Sequence, residues 1–281
     1  MMRAALAVLL AVPAAIPAAA APATRYGFQK VMVVVFENTD YATALKQPFF
    51  AGFASRGALL ADYHGVAHPS QPNYVAMVAG DPLGVKDDGH YDLDGRSLAD
   101  LLEAAGRTWG VYAEGLGQGC VLDDQQGLYR RKHEPFIDFT AIQSDPARCA
   151  NIKPASQLDA DIRSGSLPDY SLFVPDLDDD GHDTGAAAAD SWFQSRFGPI
   201  LGDSALMGRL LVVAVFDESR RDKTNHVYAA LAGAGVRPGA VSNDRQDHYG
   251  LLRTVEDAFG LGTLGNNDAG ASPIQGVWLR P

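Results

Sequence analysis

The sequence predicts an α/β fold: a mostly parallel central sheet with helices on both faces. Short apolar runs alternate with turn residues and helical patterns along the chain, which is typical of this fold class. Two of the runs, residues 31–36 and 210–216, contain only apolar side chains, as strands buried on both faces do. The chain has 281 residues, 47% of them hydrophobic, so it is long enough to bury a full core.

The other elements follow from local patterns. Clusters of β-branched and aromatic residues predict strands at 108–113, 170–174 and 227–231. Apolar residues at helical spacing predict helices at 42–55, 73–78, 97–105, 186–197 and 248–259. Residues 115–154 have no regular pattern, and we expect an ordered irregular segment near one edge of the sheet.

The N-terminus has the pattern of a secretory signal peptide. Arg3 precedes an apolar run at 4–16, and small residues at 17–21 offer a cleavage site. The run is shorter than the roughly 20 residues of a membrane span, which disfavours the alternative of an anchor. We therefore expect a signal peptide at 1–22 and one domain at 23–281. The protein would be exported, periplasmic or secreted, without integral membrane association.

The net charge and the cysteine content indicate which partners and which covalent links to expect. The chain has 34 acidic and 23 basic residues, a net charge of −11, whereas a nucleic-acid binder needs a basic face. We therefore expect no nucleic-acid partner. Cys120 and Cys149 are the only cysteines, and in an exported protein an even count favours one disulfide between them over two buried thiols.

Acidic residues follow three of the predicted strands. Glu37 and Asn38 follow the first strand, the loop 176–183 follows the strand at 170–174, and Asp217 and Glu218 follow the strand at 210–216. Since the carboxyl ends of parallel strands meet at one edge, these groups are expected to converge. Each pair alone could be a solvated turn or a helix cap. The carboxylates assigned to this edge are Glu37, Asp176, Asp178, Asp179, Asp180, Asp183, Asp217 and Glu218.

Carboxylates that share a crevice repel one another unless a cation lies between them, and oxygen ligands with one or two imidazoles suit a divalent metal. His182 is four residues after Asp178 and two after Asp180, so a tight loop could bring an Asp and the His to one ion. His248 begins a predicted helix and could add a ligand. The ion could be Ca, Zn, Mn, Mg or Fe, and more than one ion could bind.

The segment 68–74, His-Pro-Ser-Gln-Pro-Asn-Tyr, offers a nucleophile. Pro72 is compatible with the first turn of a helix, which places Ser70 near the helix start. The free backbone N–H groups and the dipole at that end favour a phosphate. Ser70 could be only a cap, but beside a metal its hydroxyl could lose a proton and attack phosphorus.

Together these motifs resemble the phosphoesterase family of secreted acid phosphatases, which includes bacterial phospholipases C and belongs to the alkaline phosphatase superfamily. The resemblance covers about residues 31–261 and is greatest to short fungal-type acid phosphatases. The motifs are at 37–38, 68–74, 112–114, 132–136, 180–184, 216–218 and 251–257.

The resemblance implies an alkaline-phosphatase-like fold and a set of site residues. The catalytic residues it implies are Ser70 as nucleophile, His133, His182, Asn73 and Lys132. The metal ligands it implies are Glu37, Asn38, Ser70, Asp217 and Glu218, with Asp180, His182 and His248 as further candidates. The sequence departs from the superfamily at 217–218, where Asp-Glu replaces Asp-His.

The resemblance further implies a metal-dependent phosphomonoesterase that hydrolyses small phosphate esters through a phosphoserine intermediate. One alternative is a phosphodiesterase or phospholipase C, because the same residues could serve diesters. Another is a non-catalytic exported protein whose acidic loops hold a structural Ca²⁺.

Overall fold

An eight-stranded sheet forms the centre of the fold in the computed structural model, which describes residues 24–117 and 120–279. The predicted signal peptide at 1–22 lies outside the described residues. The strands are β1 (Lys30–Phe36), β2 (Ala58–Leu60), β3 (Tyr63–His64), β4 (Trp109–Ala113), β5 (Gln125–Gln126), β6 (Tyr129–Arg130), β7 (Ile152–Pro154), β8 (Tyr170–Val174), β9 (Leu210–Phe216), β10 (Ala229–Gly233), β11 (Ala240–Ser242) and β12 (Gln246–Asp247).

The strand order in the central sheet is β11-β2-β10-β9-β1-β8-β4-β7. The strands from β9 to β7 in this order are parallel to one another, and β10 is antiparallel to both β9 and β2. Two small sheets, β12 with β3 and β5 with β6, lie outside it. The predicted fold class is confirmed, because the sheet is mostly parallel and has helices around it.

The register between β1 and β9 brings the ends of the two strands to the same level. Lys30 pairs with Leu210 and Phe36 with Phe216, so Glu37 and Asp217 follow side by side. β8 pairs with the opposite edge of β1, and its carboxyl end points the same way. The three acidic segments of the sequence therefore start from adjacent strands.

The helices are α1 (Tyr41–Leu45), α2 (Pro48–Arg56), α3 (Ser70–Ala79), α4 (Leu98–Ala104), α5 (Thr140–Gln143), α6 (Pro146–Cys149), α7 (Leu158–Ser164), α8 (Ala186–Gly202), α9 (Ser204–Met207), α10 (His248–Phe259) and α11 (Asn267–Gly270). The single helix predicted at 42–55 is wrong: Pro48 begins a new helix, because proline fits a first turn but not a helix interior. Of the described helices, none is long and apolar enough to cross a membrane.

Other boundaries also differ from the predictions. α3 begins at Ser70, three residues before the predicted start, with Pro72 inside its first turn. α8 continues to Gly202 and contains Pro199. β10 begins at Ala229, because Val227 forms an isolated bridge with Asp40.

The irregular segment at 115–154 is ordered, as predicted, over the residues that the structure describes. It contains β5, β6, two turns of 3₁₀ helix (Arg131–His133 and Pro135–Asp138), α5 and α6. A disulfide joins Cys120 to Cys149, with 5.4 Å between the Cα atoms, so the predicted pairing is confirmed.

An aromatic cluster packs at the ends of β1 and β9. The ring of Phe36 lies 5.0 Å from Phe50, 5.3 Å from Phe193 and 5.2 Å from Phe216, measured between centroids. All four residues are fully buried. This packing fixes the position of the polar residues that come next in both strands.

Candidate active site

Four polar residues meet where β1 and β9 end. The backbone N–H of Asn38 donates to Asp217 Oδ1 at 3.0 Å, and Asn38 Nδ2 donates to Glu218 Oε1 at 2.7 Å. Glu37, Asp217 and Glu218 are 0–2% exposed. The structure therefore brings together the two acidic pairs that the sequence placed at one edge.

Ser70 is the first residue of α3 and points into this group. Its hydroxyl Oγ lies 2.9 Å from Glu37 Oε2, 3.2 Å from Asn38 Oδ1 and 3.2 Å from Glu218 Oε1. The side chain is 2% exposed, so three oxygen acceptors surround one hydroxyl proton in a site largely closed to water.

Asp180 is the member of the acidic loop that reaches the site. Its carbonyl accepts from the Glu37 N–H at 2.9 Å, and its Oδ1 accepts from the His182 N–H at 2.7 Å. Burial, together with Glu37, raises the pKa of Asp180 to about 8. Burial also raises the pKa of Glu37, Asp217 and Glu218 above the usual range. The site thus holds four carboxyl groups that would repel one another when ionised.

The free oxygen atoms of this group are of the chemical type that a divalent cation binds. Within 24–117 and 120–279, Glu37 Oε1, Asp180 Oδ2 and Asp217 Oδ2 are buried and have no hydrogen-bond partner. An unpaired buried carboxylate oxygen is costly, and hard oxygen donors are the ligands that Mg²⁺, Mn²⁺ and Ca²⁺ prefer. Glu37, Asn38, Asp217 and Glu218, with the Ser70 hydroxyl, are the residues that would hold such an ion.

Lys132 and His133 approach the site from the irregular segment. His133 is 2% exposed, its ring stacks on Tyr74 at 5.2 Å between centroids, and burial holds its pKa well below the usual range. His133 Nε2 lies 3.2 Å from Glu37 Oε1 without hydrogen-bond geometry. Lys132 Nζ donates to Asp88 Oδ2 at 2.6 Å, and Asp88 Oδ1 accepts from the Gln71 N–H at the start of α3.

The structure places His248 differently from the prediction. His248 Nε2 donates to the backbone carbonyl of Asp217 at 2.6 Å, and Nδ1 accepts from the Tyr63 hydroxyl at 3.1 Å. Both ring nitrogens are thus engaged, so His248 supports the Asp217 backbone and has no free nitrogen for a metal. Burial lowers the pKa of His248 to about 4.

Asn73 and His182 also have contacts that the sequence did not indicate. Asn73 Oδ1 accepts from the N–H groups of Val66 and Ala67, and its Nδ2 donates to the carbonyls of Ala67 and Pro69. These bonds use all of its polar atoms, so Asn73 anchors the loop before Ser70. The His182 side chain is 44% exposed, and its Nδ1 donates to Asp183 Oδ1 at 2.6 Å.

A second carboxylate cluster lies apart from Ser70. One carboxylate oxygen from each of Glu114, Asp176 and Asp179 falls within 4.8 Å of the others. The single acidic edge expected from sequence is therefore split, with Asp180 in the site and Asp176 and Asp179 beside Glu114. Glu114 follows β4 directly, which is the signal that could have placed it here.

Sequence reasoning also missed a role for His68. Its Nδ1 donates to Glu218 Oε2, while the imidazole itself is 54% exposed. His68 lies two residues before Ser70 in the same motif, and that spacing was the available signal.

The fold is similar to the folds of several solved structures. One is a protein in the alkaline phosphatase superfamily from Vibrio parahaemolyticus, with a TM-score of 0.63, 11% identity, and coverage of 90% of this chain and 72% of that one. Another is the lipoteichoic acid synthase from Listeria monocytogenes, with a TM-score of 0.59, 12% identity, and coverage of 88% and 78%. The chain belongs to the Phosphoesterase family, whose model matches residues 39–262.

Three relatives illustrate this membership. A probable acid phosphatase of Kluyveromyces lactis is 32% identical over 88% of this chain and 62% of its own length. An acid phosphatase of Aspergillus fumigatus is 30% identical over 88% of this chain and 58% of its own. A phosphatidylinositol-3-phosphatase of Mycobacterium tuberculosis is 31% identical over 89% and 83%. The chain thus spans about three fifths of the length of the two fungal relatives.

Proposed function

We propose that this protein is an exported, metal-dependent phosphomonoesterase that hydrolyses small phosphate esters through a phosphoserine intermediate. One observation carries the proposal: the buried Ser70 hydroxyl begins a ten-residue helix and lies 2.9–3.2 Å from three oxygen atoms of Glu37, Asn38 and Glu218. The acid phosphatase relatives support the same activity. In this proposal residues 23–281 form one phosphoesterase domain, and the signal peptide at 1–22 directs export.

The proposed mechanism assigns each step to residues of the chain. Ser70 Oγ attacks phosphorus and passes its proton to Glu37, whose Oε2 is 2.9 Å away. The ester P–O bond breaks, and the alcohol leaves with the proton that Glu37 received. Lys132 and His133, which come from the irregular segment, bind phosphoryl oxygens, and water then hydrolyses the phosphoserine to release phosphate and restore the Ser70 hydroxyl. A divalent cation, when bound, favours the ionised serine and offsets charge on the phosphoryl oxygens.

Substitution of the nucleophile tests the proposal. We expect Ser70→Ala to lower kcat for p-nitrophenyl phosphate by at least about 10³-fold, while circular dichroism shows an unchanged fold. Ser204→Ala is the matched control, because Ser204 also begins a helix but is exposed and belongs to α9. Turnover by Ser70→Ala near that of the control would refute the proposed nucleophile.

The diester alternative predicts another substrate preference. A monoester has an additional phosphoryl oxygen that Lys132 and His133 can bind, whereas a diester has a second substituent in that place. We therefore expect a higher kcat/KM for p-nitrophenyl phosphate than for bis(p-nitrophenyl) phosphate. The reverse order would favour a phosphodiesterase. Loss of thermal stability on chelation, with neither ester cleaved at any metal, would favour the non-catalytic alternative.

A further inference from the structure

His68 connects the solvent to the buried Glu218 carboxylate. The imidazole is 54% exposed, the Glu218 side chain is 2% exposed, and His68 Nδ1 donates to Glu218 Oε2. The other carboxylate oxygen, Oε1, accepts from Asn38 Nδ2 at 2.7 Å and lies 3.2 Å from Ser70 Oγ. Glu218 is thus held on one side by His68 and faces the nucleophile with the other.

The loop that carries His68 is itself fixed on two sides. Asn73 bonds the backbone of Val66 and Ala67 from α3. Asn225 bonds from the segment after Glu218: its Nδ2 donates to the Ala67 carbonyl at 3.0 Å, and its own carbonyl accepts from the Gly65 N–H. Since both partners of the His68–Glu218 contact belong to anchored segments, the contact is a defined part of the site.

We propose that His68 is a positioning residue that orients the Glu218 carboxylate towards Ser70 and towards a bound divalent cation. A carboxylate can rotate about its terminal bond, and a fixed N–H donor on one oxygen sets the direction of the other. This inference rests on the proposed function, because it assumes that Glu218 is a ligand of that cation.

Two substitutions separate positioning from other roles of the ring. His68→Leu keeps the size of the side chain but removes the donor. His68→Asn retains an N–H donor near the position of Nδ1. His90→Leu is the matched control, because His90 is 47% exposed and its ring contacts Asp124 and Arg131 rather than Glu218.

The first measurement is Mn²⁺ affinity of chelator-stripped protein by calorimetric titration, without substrate. We expect His68→Leu to weaken Mn²⁺ binding about tenfold and His68→Asn to restore it to within about threefold of the wild type. His90→Leu should bind Mn²⁺ like the wild type. Circular dichroism of each variant confirms that it is folded.

The second measurement compares the effect of each substitution on kcat with its effect on KM, with p-nitrophenyl phosphate as substrate. Misorientation of Glu218 should lower kcat about tenfold in His68→Leu and leave KM nearly unchanged, because His68 acts through Glu218. Equal Mn²⁺ affinity in the wild type and His68→Leu, no Mn²⁺ binding in the wild type, or an Asn variant as impaired as the Leu variant would overturn the inference. The Mn²⁺ titration needs no turnover, so the inference and the proposed nucleophile can fail separately.

Discussion

At the scale of single residues, two side chains near Ser70 have every polar atom engaged by the protein: Asn73 bonds the loop before Ser70, and His248 bonds Tyr63 and the Asp217 carbonyl. Glu37, Asp217 and Ser70 were found from sequence because each stands directly after an apolar strand or at a helix start. The bonds of His248 were not predictable, because its partners Tyr63 and Asp217 are 185 and 31 residues away. The role of His248 depends on these distant partners, whereas the partners of Asn73 lie only 4–7 residues away in the loop before Ser70.

The anchoring contacts of Asn73 give one prediction. Asn73→Ala removes a side chain that bonds two N–H groups and two carbonyls of residues 66–69, so that partly buried backbone groups lose these bonds. We expect a loss of about 2–4 kcal/mol in the free energy of unfolding. Asn267→Ala, whose side chain is exposed and bonds Asp81, should lose about 0.5 kcal/mol or less. Urea unfolding followed by circular dichroism measures both, and equal losses would contradict the anchoring role.

Glu256 of α10 gives a prediction about pH. Burial, with Asp268 nearby, raises the pKa of Glu256 to about 9. The folded state then keeps a proton that the unfolded chain releases near pH 4.5. The stabilisation is therefore fully present below that pH and declines as the pH rises towards 9, by up to about 1.4 kcal/mol per pH unit. We expect Glu256→Gln to flatten this part of the stability profile. Urea unfolding at a series of pH values measures this, and free energies of unfolding that change equally with pH in variant and wild type would contradict the prediction.

At the scale of secondary-structure elements, boundaries were predicted accurately where the burial of apolar side chains alone determined the element. The apolar runs gave β1 and β9 to within a residue, because burial on both faces leaves no alternative pattern. Helix boundaries were less accurate, because proline can begin a helix, as Pro48 does, or stand within its first turn, as Pro72 does. The end of α3 was predicted at residue 78, one residue before its observed last residue, Ala79, and Gly80 follows as a left-handed C-cap.

Substitution of Gly80 tests how rigidly Asp268 packs against the C-terminal end of α3. Gly80 ends the helix with a φ of +70°, and a Cβ there would lie 2.5 Å from Asp268 Oδ1. Gly165 ends α7 with a φ of +75° but has no atom within 4 Å of a built Cβ. We expect Gly165→Ala to cost about 1–2 kcal/mol from backbone strain alone and Gly80→Ala to cost clearly more. Urea unfolding of both variants gives the difference, and equal costs would show that Asp268 moves aside freely.

At the scale of the whole molecule, the acidic excess is divided between two places. The sequence indicated that the loop after β8 lies at the active-site edge, but not which way its successive carboxylates point. A turn closes between the Asp176 carbonyl and the N–H groups of Asp179 and Asp180, and the Asp180 backbone then bonds Glu37. The turn directs Asp180 to the Ser70 site and leaves Asp176 with Glu114. The described residues therefore form two carboxylate clusters to which a cation could bind, one beside Ser70 and one beside Glu114.

Thermal unfolding with Mn²⁺ distinguishes these two clusters. At about 100 times its Kd, Mn²⁺ should stabilise the chelator-stripped protein by about 2.7 kcal/mol, which for a domain of this size raises Tm by about 5–10 °C. We expect Asp217→Asn to abolish this increase. The substitution removes the Asp217 carboxylate, whose Oδ2 is buried and unpaired and would bind the ion. The metal-free variant should be at least as stable as the wild type, since it has one buried carboxyl group fewer beside Glu37 and Glu218. Glu114→Gln should keep the full increase, and the opposite pattern would place the cation in the cluster with Asp176 and Asp179.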